Sequence, residues 1–435
     1  MSERGWRKLA AMLPEILTSV PGEKSLEWGR RLGEAECRNT TYLGEDWPIF
    51  WEKTEGVNVW DVDGNRFLDM TSGFGVAGLG YGFTGQALRD QSVSLMHAMG
   101  DVHPARVKVE LCEALSEITF GRWDGSRGKC LFGNSGFEAV EAALKTAVVA
   151  TGRSGILSFE GGYHGLGYGA LLGAGIGWFR EPFEGQLARV TERLKFPEDD
   201  LENFREELSQ VDGSRIGAVL VEPIQGRGGI VVPPEGFLRA LREWCDRVGA
   251  VLIFDEIYTG FWRTGRMFAC EWEGVVPDLI CLGKALSGGF PISVCVGKAE
   301  MMDKWPASNG EALHTSTFLG NPMGCAMGLE AIKRYREART EEMVAEAGAR
   351  LKEALRCLEK LDFVKCVRGR GLMMGVVTDS GERVIEAVKS MLRAGVIALP
   401  DGPVGDILAL TPPFSVSEEE IAFAVKAMVS GLRGS

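Results

Sequence analysis

The chain has 435 residues, 45% hydrophobic and 25% charged, which is enough apolar material for one large core and a second, smaller one. A formal net charge of -12, with no dense lysine or arginine stripe, excludes a nucleic-acid footprint. Ten cysteines with no C-x-x-C spacing exclude a zinc site and a disulfide framework, and no apolar run reaches the roughly 18 residues that a membrane span needs. A cytoplasmic small-molecule enzyme without metal or membrane is expected.

Residues 6–36 read as an amphipathic arm, a Pro21-Gly22 turn and a helix from Ser25; the first apolar run is too short and too soon broken for a signal peptide. Strand-like pieces follow at 48–52, 57–62 and 66–70, with Asp63-Gly64 as a hairpin signal. Gly73-Phe74-Gly75-Val76-Ala77-Gly78 is a literal G-x-G-x-x-G. A dinucleotide fingerprint needs a buried strand before it and a helix opening from it, whereas here a polar hairpin precedes and more glycines follow. A nicotinamide oxidoreductase is therefore the more distant alternative.

Cys130-Leu131-Phe132 is a short strand, Gly133 to Gly136 a turn, and 137–150 a helix with apolar residues at 137, 140, 144 and 148. Strand, glycine turn and helix N-terminus together make an anion site, because unpaired N–H groups and the positive dipole end face the same point. Ser135 with Glu138 is also a capping box, which needs no ligand, and both readings stand. A strand at 156–159 leads into Gly161-Gly162-Tyr163-His164-Gly165, where an aromatic after glycines suits core packing or a plate for a planar ring. The buried strand 216–221 ends in Glu222-Pro223-Ile224-Gln225-Gly226-Arg227, and 234–248 is a helix.

Residues 250–254 form an unbroken apolar run, the pattern of a strand buried on both faces of a parallel sheet, and Asp255-Glu256 follow at once. Asp278-Leu279-Ile280-Cys281-Leu282 reads as another buried strand, and Gly283-Lys284 follow it. In open α/β sheets ligands bind beyond the carboxyl ends of the strands, so Asp255 and Lys284 are expected to face one crevice. Packing a lysine into such a crevice disfavours its ammonium form, lowers its pKa from about 10.4 and makes the amine a nucleophile able to form a Schiff base.

His314 to Pro322 is a polar, turn-rich loop before a helix from Met323. Beyond it, 341–361, 364–377, 383–394, 407–410 and 417–432 alternate helix and strand as an α+β end domain, with Ser417 and Glu420 as a structural capping box.

These motifs in this order resemble the class III (ω-amino acid) aminotransferases of pyridoxal 5'-phosphate fold type I. The resemblance runs from about Pro48 to the C-terminus and implies an α/β fold: a large domain with a mostly parallel sheet flanked by helices, plus a smaller α+β domain built from both chain ends. The expected division is 1–72 for the arm and part of the small domain, 73–330 for the cofactor domain and 331–435 for the rest of the small domain. The resemblance implies pyridoxal 5'-phosphate bound by Ser135, Gly136, Tyr163, Glu222, Gln225, Asp255, Ile257, Lys284 and Thr317. Lys284 would be the Schiff-base lysine and, with Asp255 on the pyridine nitrogen, the catalytic pair; Tyr163 and Ile257 would hold opposite ring faces, and Gln225 the 3'-oxygen. Thr317 would reach a phosphate across the interface of a homodimer.

The implied reaction is ping-pong transfer of an amino group from an amine or amino acid to a keto acid. A racemase or epimerase, or a decarboxylating or mutase variant, would use the same lysine chemistry. Two departures bear on the substrate. Where many members carry a carboxylate-binding arginine three residues before a Pro-Pro pair, this chain has Ala409 ahead of Pro412-Pro413. Where they have a glutamate after Gln-Gly, it has Arg227, so Arg227 and Trp51 are the candidate substrate residues. The family's Gly-His-x-His-Pro is also replaced, by Gly80 to Thr84.

Overall fold

The computed structural model describes residues 11–434, so the first part of the N-terminal arm, residues 6–10, lies outside the described residues. The described chain divides into two compact units. One comprises residues 11–83 and 343–434, the other residues 84–342.

The strands, in chain order, are β1 (Trp51–Glu55), β2 (Asn58–Asp61), β3 (Arg66–Asp69), β4 (Gly128–Gly133), β5 (Gly155–Phe159), β6 (Thr191–Leu194), β7 (Ile216–Val221), β8 (Val251–Asp255), β9 (Leu279–Leu282), β10 (Ser293–Lys298), β11 (Val364–Arg370), β12 (Met373–Thr378), β13 (Val396–Ile397), β14 (Leu399–Asp401) and β15 (Ile407–Leu410).

The larger unit is built on a seven-stranded sheet in the order β4-β10-β9-β8-β7-β5-β6. β9, β8, β7, β5 and β6 run parallel; β10 is antiparallel to both β9 and β4. Every residue of β7, β8 and β9 is buried. That is why these strands read as unbroken apolar runs: helices cover both faces of a parallel sheet, and no position is left for a polar side chain. The helix Gly136–Thr151 lays Ala139, Val140, Ala143, Leu144 and Ala147 onto Ala218, Leu220, Val251, Ile253 and Leu279. Its alanines let helix and sheet approach closely, and each large aliphatic chain buried there contributes about 1.5–3 kcal/mol. Helix Phe237–Val248 buries its apolar residues at 237, 238, 241, 244 and 245, and ends where Gly249 takes φ 69°.

The smaller unit holds two four-stranded sheets, β1-β2-β3-β13 and β11-β12-β15-β14. The Ser417 and Glu420 cap is present: Ser417 N–H donates to the Glu420 carboxylate at 2.8 Å, and Glu420 N–H to Ser417 Oγ at 3.2 Å. The G-x-G-x-x-G stretch does not open a helix of the dinucleotide kind. Ser72, Gly73, Phe74 and Gly75 form one left-handed turn with φ of 51°, 56°, 64° and 77°. Asp69 holds it, accepting from Thr71 N–H (2.8 Å), Gly73 N–H (2.9 Å) and the Tyr81 hydroxyl (2.6 Å). The glycines thus serve a backbone conformation that costs other residues energy.

Candidate active site

Strand order lines up the polar groups. At the carboxyl edge of the large sheet, adjacent strands end one after another in Tyr163-His164 (after β5), Glu222 and Gln225 (after β7), Asp255 and Ile257 (β8) and Lys284 (after β9). β4 points the same way as β9, because each is antiparallel to β10, so Asn134-Ser135-Gly136 joins them at that edge.

Asp255 is buried, and its carboxylate is held from two sides. The His164 Nδ1–H donates to Oδ2 at 2.8 Å, and the Ile257 N–H to Oδ1 at 3.1 Å. Beside it the buried Glu222 accepts Tyr163 N–H (2.9 Å) and Gly226 N–H (2.9 Å). Burial pushes the Glu222 carboxyl up to about 7, with the Asp255 charge adding to the shift and His164 opposing it. Glu256 points away from this row. It accepts the Thr259 hydroxyl and the N–H groups of Ala269 and Cys270, which secures the loop after β8.

Lys284 sits at φ 43°, a left-handed conformation unusual for lysine, immediately after an extended Gly283. Its Nζ lies 4.6 Å from the Tyr258 ring centroid. Ile257 packs between two glycines: a Cβ on Gly136 would stand 3.0 Å from Ile257 Cδ1, and one on Gly283 3.5 Å from Ile257 Cγ2. Both turns therefore approach one aliphatic side chain at glycine distance.

At the start of helix Gly136–Thr151 the Glu138 carboxylate reaches back to the N–H groups of Asn134 and Ser135, and the Ser293 hydroxyl donates to Ser135 O at 2.6 Å. The Tyr163 ring stands edge-on to Phe179 with centroids 5.5 Å apart. Arg227 is half-buried, and its charge reaches the Tyr163 hydroxyl. The Gln225 amide donates to Glu160 O at 2.7 Å. Thr317 is exposed, in a loop secured nearby by the Thr315 hydroxyl on Asp101 (2.6 Å). Trp51 belongs to the smaller unit, on β1, edge-on to Tyr81 with centroids 6.1 Å apart.

The class-III aminotransferase family pattern matches residues 42–432. The chain is a class III aminotransferase. It is 37% identical to an acetylornithine aminotransferase of Methanopyrus kandleri over 89% of this chain and 95% of that protein, and 34% identical to a 4-aminobutyrate aminotransferase of Mycobacterium leprae over 94% and 95%. A solved amine transaminase from an uncultivated Pseudomonas species, in its PLP-bound form, superposes with a TM-score of 0.84 at 26% identity, covering 92% of this chain and 98% of that one. A Thermomicrobium roseum (S)-enantioselective omega-transaminase gives 0.86 at 26% identity, covering 97% and 99%.

The aminotransferase uses pyridoxal 5'-phosphate, and its strand edge suits that group. An anchored buried carboxylate, an amine on the neighbouring strand end, a helix N-terminus and an aliphatic side chain framed by two glycines match the group's ring nitrogen, aldehyde, phosphate and flat face respectively. Two contacts escaped the sequence reading. His164 is the partner of Asp255 across 91 positions, and Tyr258 is the surface beneath the Lys284 amine. Neither had a local signal beyond the motifs that contain them.

Proposed function

We propose that the cofactor is held at this strand edge and that Lys284 performs both the covalent and the proton-moving work of a ping-pong transamination between an amine or amino acid and a keto acid. The convergence of Asp255, Ile257 and Lys284 on adjacent strand ends carries this reading. Ser135 and Gly136 would take the phosphate, Tyr163 and Ile257 the two ring faces, Glu222 and Gln225 the oxygen edge, and Asp255 the ring nitrogen.

When bound, the cofactor supplies an aldehyde for the donor's amine and an electron sink for the bond broken at the donor's α-carbon. Asp255, oriented by His164, would face the ring nitrogen with its carboxylate. The Lys284 amine would take the proton from the donor's α-carbon and give it back on the reaction's other side, as general base and then general acid. Donor given without acceptor should yield its own keto acid at about one equivalent per site and then stop, as a ping-pong scheme requires. Inversion of the donor's stereocentre with no keto acid formed would identify a racemase instead.

The enzyme works as a homodimer in the cytoplasm, with Thr317 serving the partner's phosphate. An exposed, polar Thr317 loop supports the first part of this reading; the free cysteines and the lack of a membrane-crossing helix among the described residues support the second. Thr317→Ala and Lys284→Ala subunits, each impaired alone, should complement when mixed. Each mixed dimer then carries one intact site and one doubly defective site, and because random mixing of equal amounts makes about half of the dimers mixed, activity rises toward roughly a quarter of that of the unmodified enzyme. A fully active monomer on dilution would rule the arrangement out.

Arg227 reads a substrate carboxylate. Support comes from its half-buried place beside Tyr163, from the missing arginine at Ala409, and from relatives named for acetylornithine and 4-aminobutyrate, both carboxylates. A guanidinium is the preferred partner of a planar carboxylate. Arg227→Ala should therefore raise KM for carboxylate-bearing donors about tenfold, or 1.4 kcal/mol, while sparing simple amines. Equal loss for both donor types, or for neither, would remove Arg227 from substrate recognition.

A further inference from the structure

We propose that Cys112 and Cys130 form a dithiol that hydrogen peroxide closes to a disulfide, a modification site separate from the strand edge that binds the cofactor. Cys112 lies on helix Arg106–Ser116 and Cys130 on β4, and both are half-buried. Cys130 Sγ donates to the Cys112 carbonyl oxygen at 4.0 Å, and each thiol lies close enough to the other to act on its ionisation. The pair is held together by its scaffold. Ser116 Oγ accepts from Gly128 N–H at 2.8 Å, and a Cβ on Gly128 would stand 3.0 Å from Phe120 and 3.1 Å from Val296. The end of the helix and the start of the strand are thereby pinned against one another.

The two thiols are not equivalent. Lys108 lies one helical turn before Cys112, on the same face, and its charge reaches that thiol. The neighbouring Cys130 thiol, then the Lys108 charge, draw the Cys112 thiol below its ordinary range, against burial and Glu113. Cys130 is pushed the other way, by the neighbouring Cys112 thiol and then by burial. Cys112 is therefore the attacking sulfur and Cys130 the resolving one.

In the first step the Cys112 thiolate attacks one peroxide oxygen, the O–O bond breaks, hydroxide leaves and sulfenic acid forms. In the second, Cys130 sulfur attacks the Cys112 sulfur, the S–O bond breaks, and the oxygen leaves as water with the thiol proton. Two sulfurs have lost two electrons, and peroxide has gained them.

The molecule contains its own comparison. Cys281 and Cys295 also face each other, as register partners on β9 and β10, but both are fully buried, and burial pushes the Cys281 thiol well up. Proximity is matched there, while access and thiolate character are not. Cys325, buried on helix Pro322–Tyr335, lies within electrostatic reach of both Cys112 and Cys130 and is the rival partner.

The full-length enzyme, treated with stoichiometric hydrogen peroxide, denatured with an alkylating agent and cut with trypsin without reductant, decides the matter. Cleavage after Lys108, Arg122, Lys129 and Lys145 places the two thiols on separate peptides, 109–122 and 130–145. The expected product is these two peptides linked, lighter than their sum by two hydrogens, and released by reductant. Cys112→Ser and Cys112→Ala should both abolish the link, so that a folding defect in one leaves the other to report. Alkylation of both peptides at the level of untreated enzyme, sulfinic acid on Cys112 without a link, or a link from either peptide to that of Cys325 would each overturn the proposal.

Discussion

Lys284→Ala should remain folded while turnover falls by at least roughly 10²–10⁴-fold, the range a positioned proton-transfer group contributes by itself. The loss of covalent work comes on top of that. The ring contact over Tyr258, at 4.6 Å, contributes about 0.5–1 kcal/mol in such geometry, so its loss alone is too small to unfold the chain. Alanine also keeps the same left-handed backbone burden at φ 43° rather than adding to it. Two measurements separate the claims. Borohydride should fix cofactor mass onto the peptide containing Lys284 in the unmodified enzyme and onto no peptide of the variant, while thermal unfolding stays nearly unchanged. Normal turnover in the variant would end the proposed mechanism, and an unfolded variant would show that the lysine is needed by the scaffold.

Asp255→Ala is expected to separate binding from chemistry. Cofactor should be retained, because the phosphate contacts assigned to Ser135 and Gly136 arise from a different strand end and a different helix. Single-turnover loss of the donor's α-proton should slow by about 10²-fold or more, the size of effect seen when one preorganised electrostatic partner is removed from a site. Stability should also fall, because His164 loses its acceptor at 2.8 Å in a buried position, and an orphaned buried donor costs about 1–3 kcal/mol. Asp255→Asn provides the control. An amide can still accept from His164 while carrying no charge, so it should recover most of the stability and little of the rate. An unchanged single-turnover rate in either variant would remove Asp255 from the chemistry.

The large sheet was legible in the chain because its central strands are buried on both faces. Residues 216–221 and 251–254 contain no polar residue, and the first charged residue marks where each strand leaves the core. The same logic placed Asp255 and Lys284, since a charge within two residues of the end of a buried run lies at the sheet's carboxyl edge. Helix Gly136–Thr151 was legible from its 3.6-residue period. At its start, the reach-back of Glu138 to Asn134 and Ser135 shows that the cap exists beside the site expected for an anion.

What local pattern could not carry was which strand ends become neighbours. His164 meets Asp255 only because the order β5-β7-β8 brings the two loops to opposite sides of Glu222, and strand order is a property of the whole chain rather than of any window of it. The Gln225 amide donates one hydrogen to Glu160 O, a contact made across 65 positions that no local pattern announces. The glycines of 73–78 matched a dinucleotide pattern in the wrong context; Asp69 and Tyr81 give Gly73 and Gly75 their use, in a left-handed turn. Cys112 and Cys130 are 18 positions apart with no motif between them, and only the packing of a helix on an edge strand makes them a pair. The sequence by itself thus determined which residues are buried and where strands end, because hydrophobic periodicity records burial residue by residue. Tertiary structure alone decided which polar groups meet, because those contacts depend on strand order and on side-chain direction at turns, which no local period encodes.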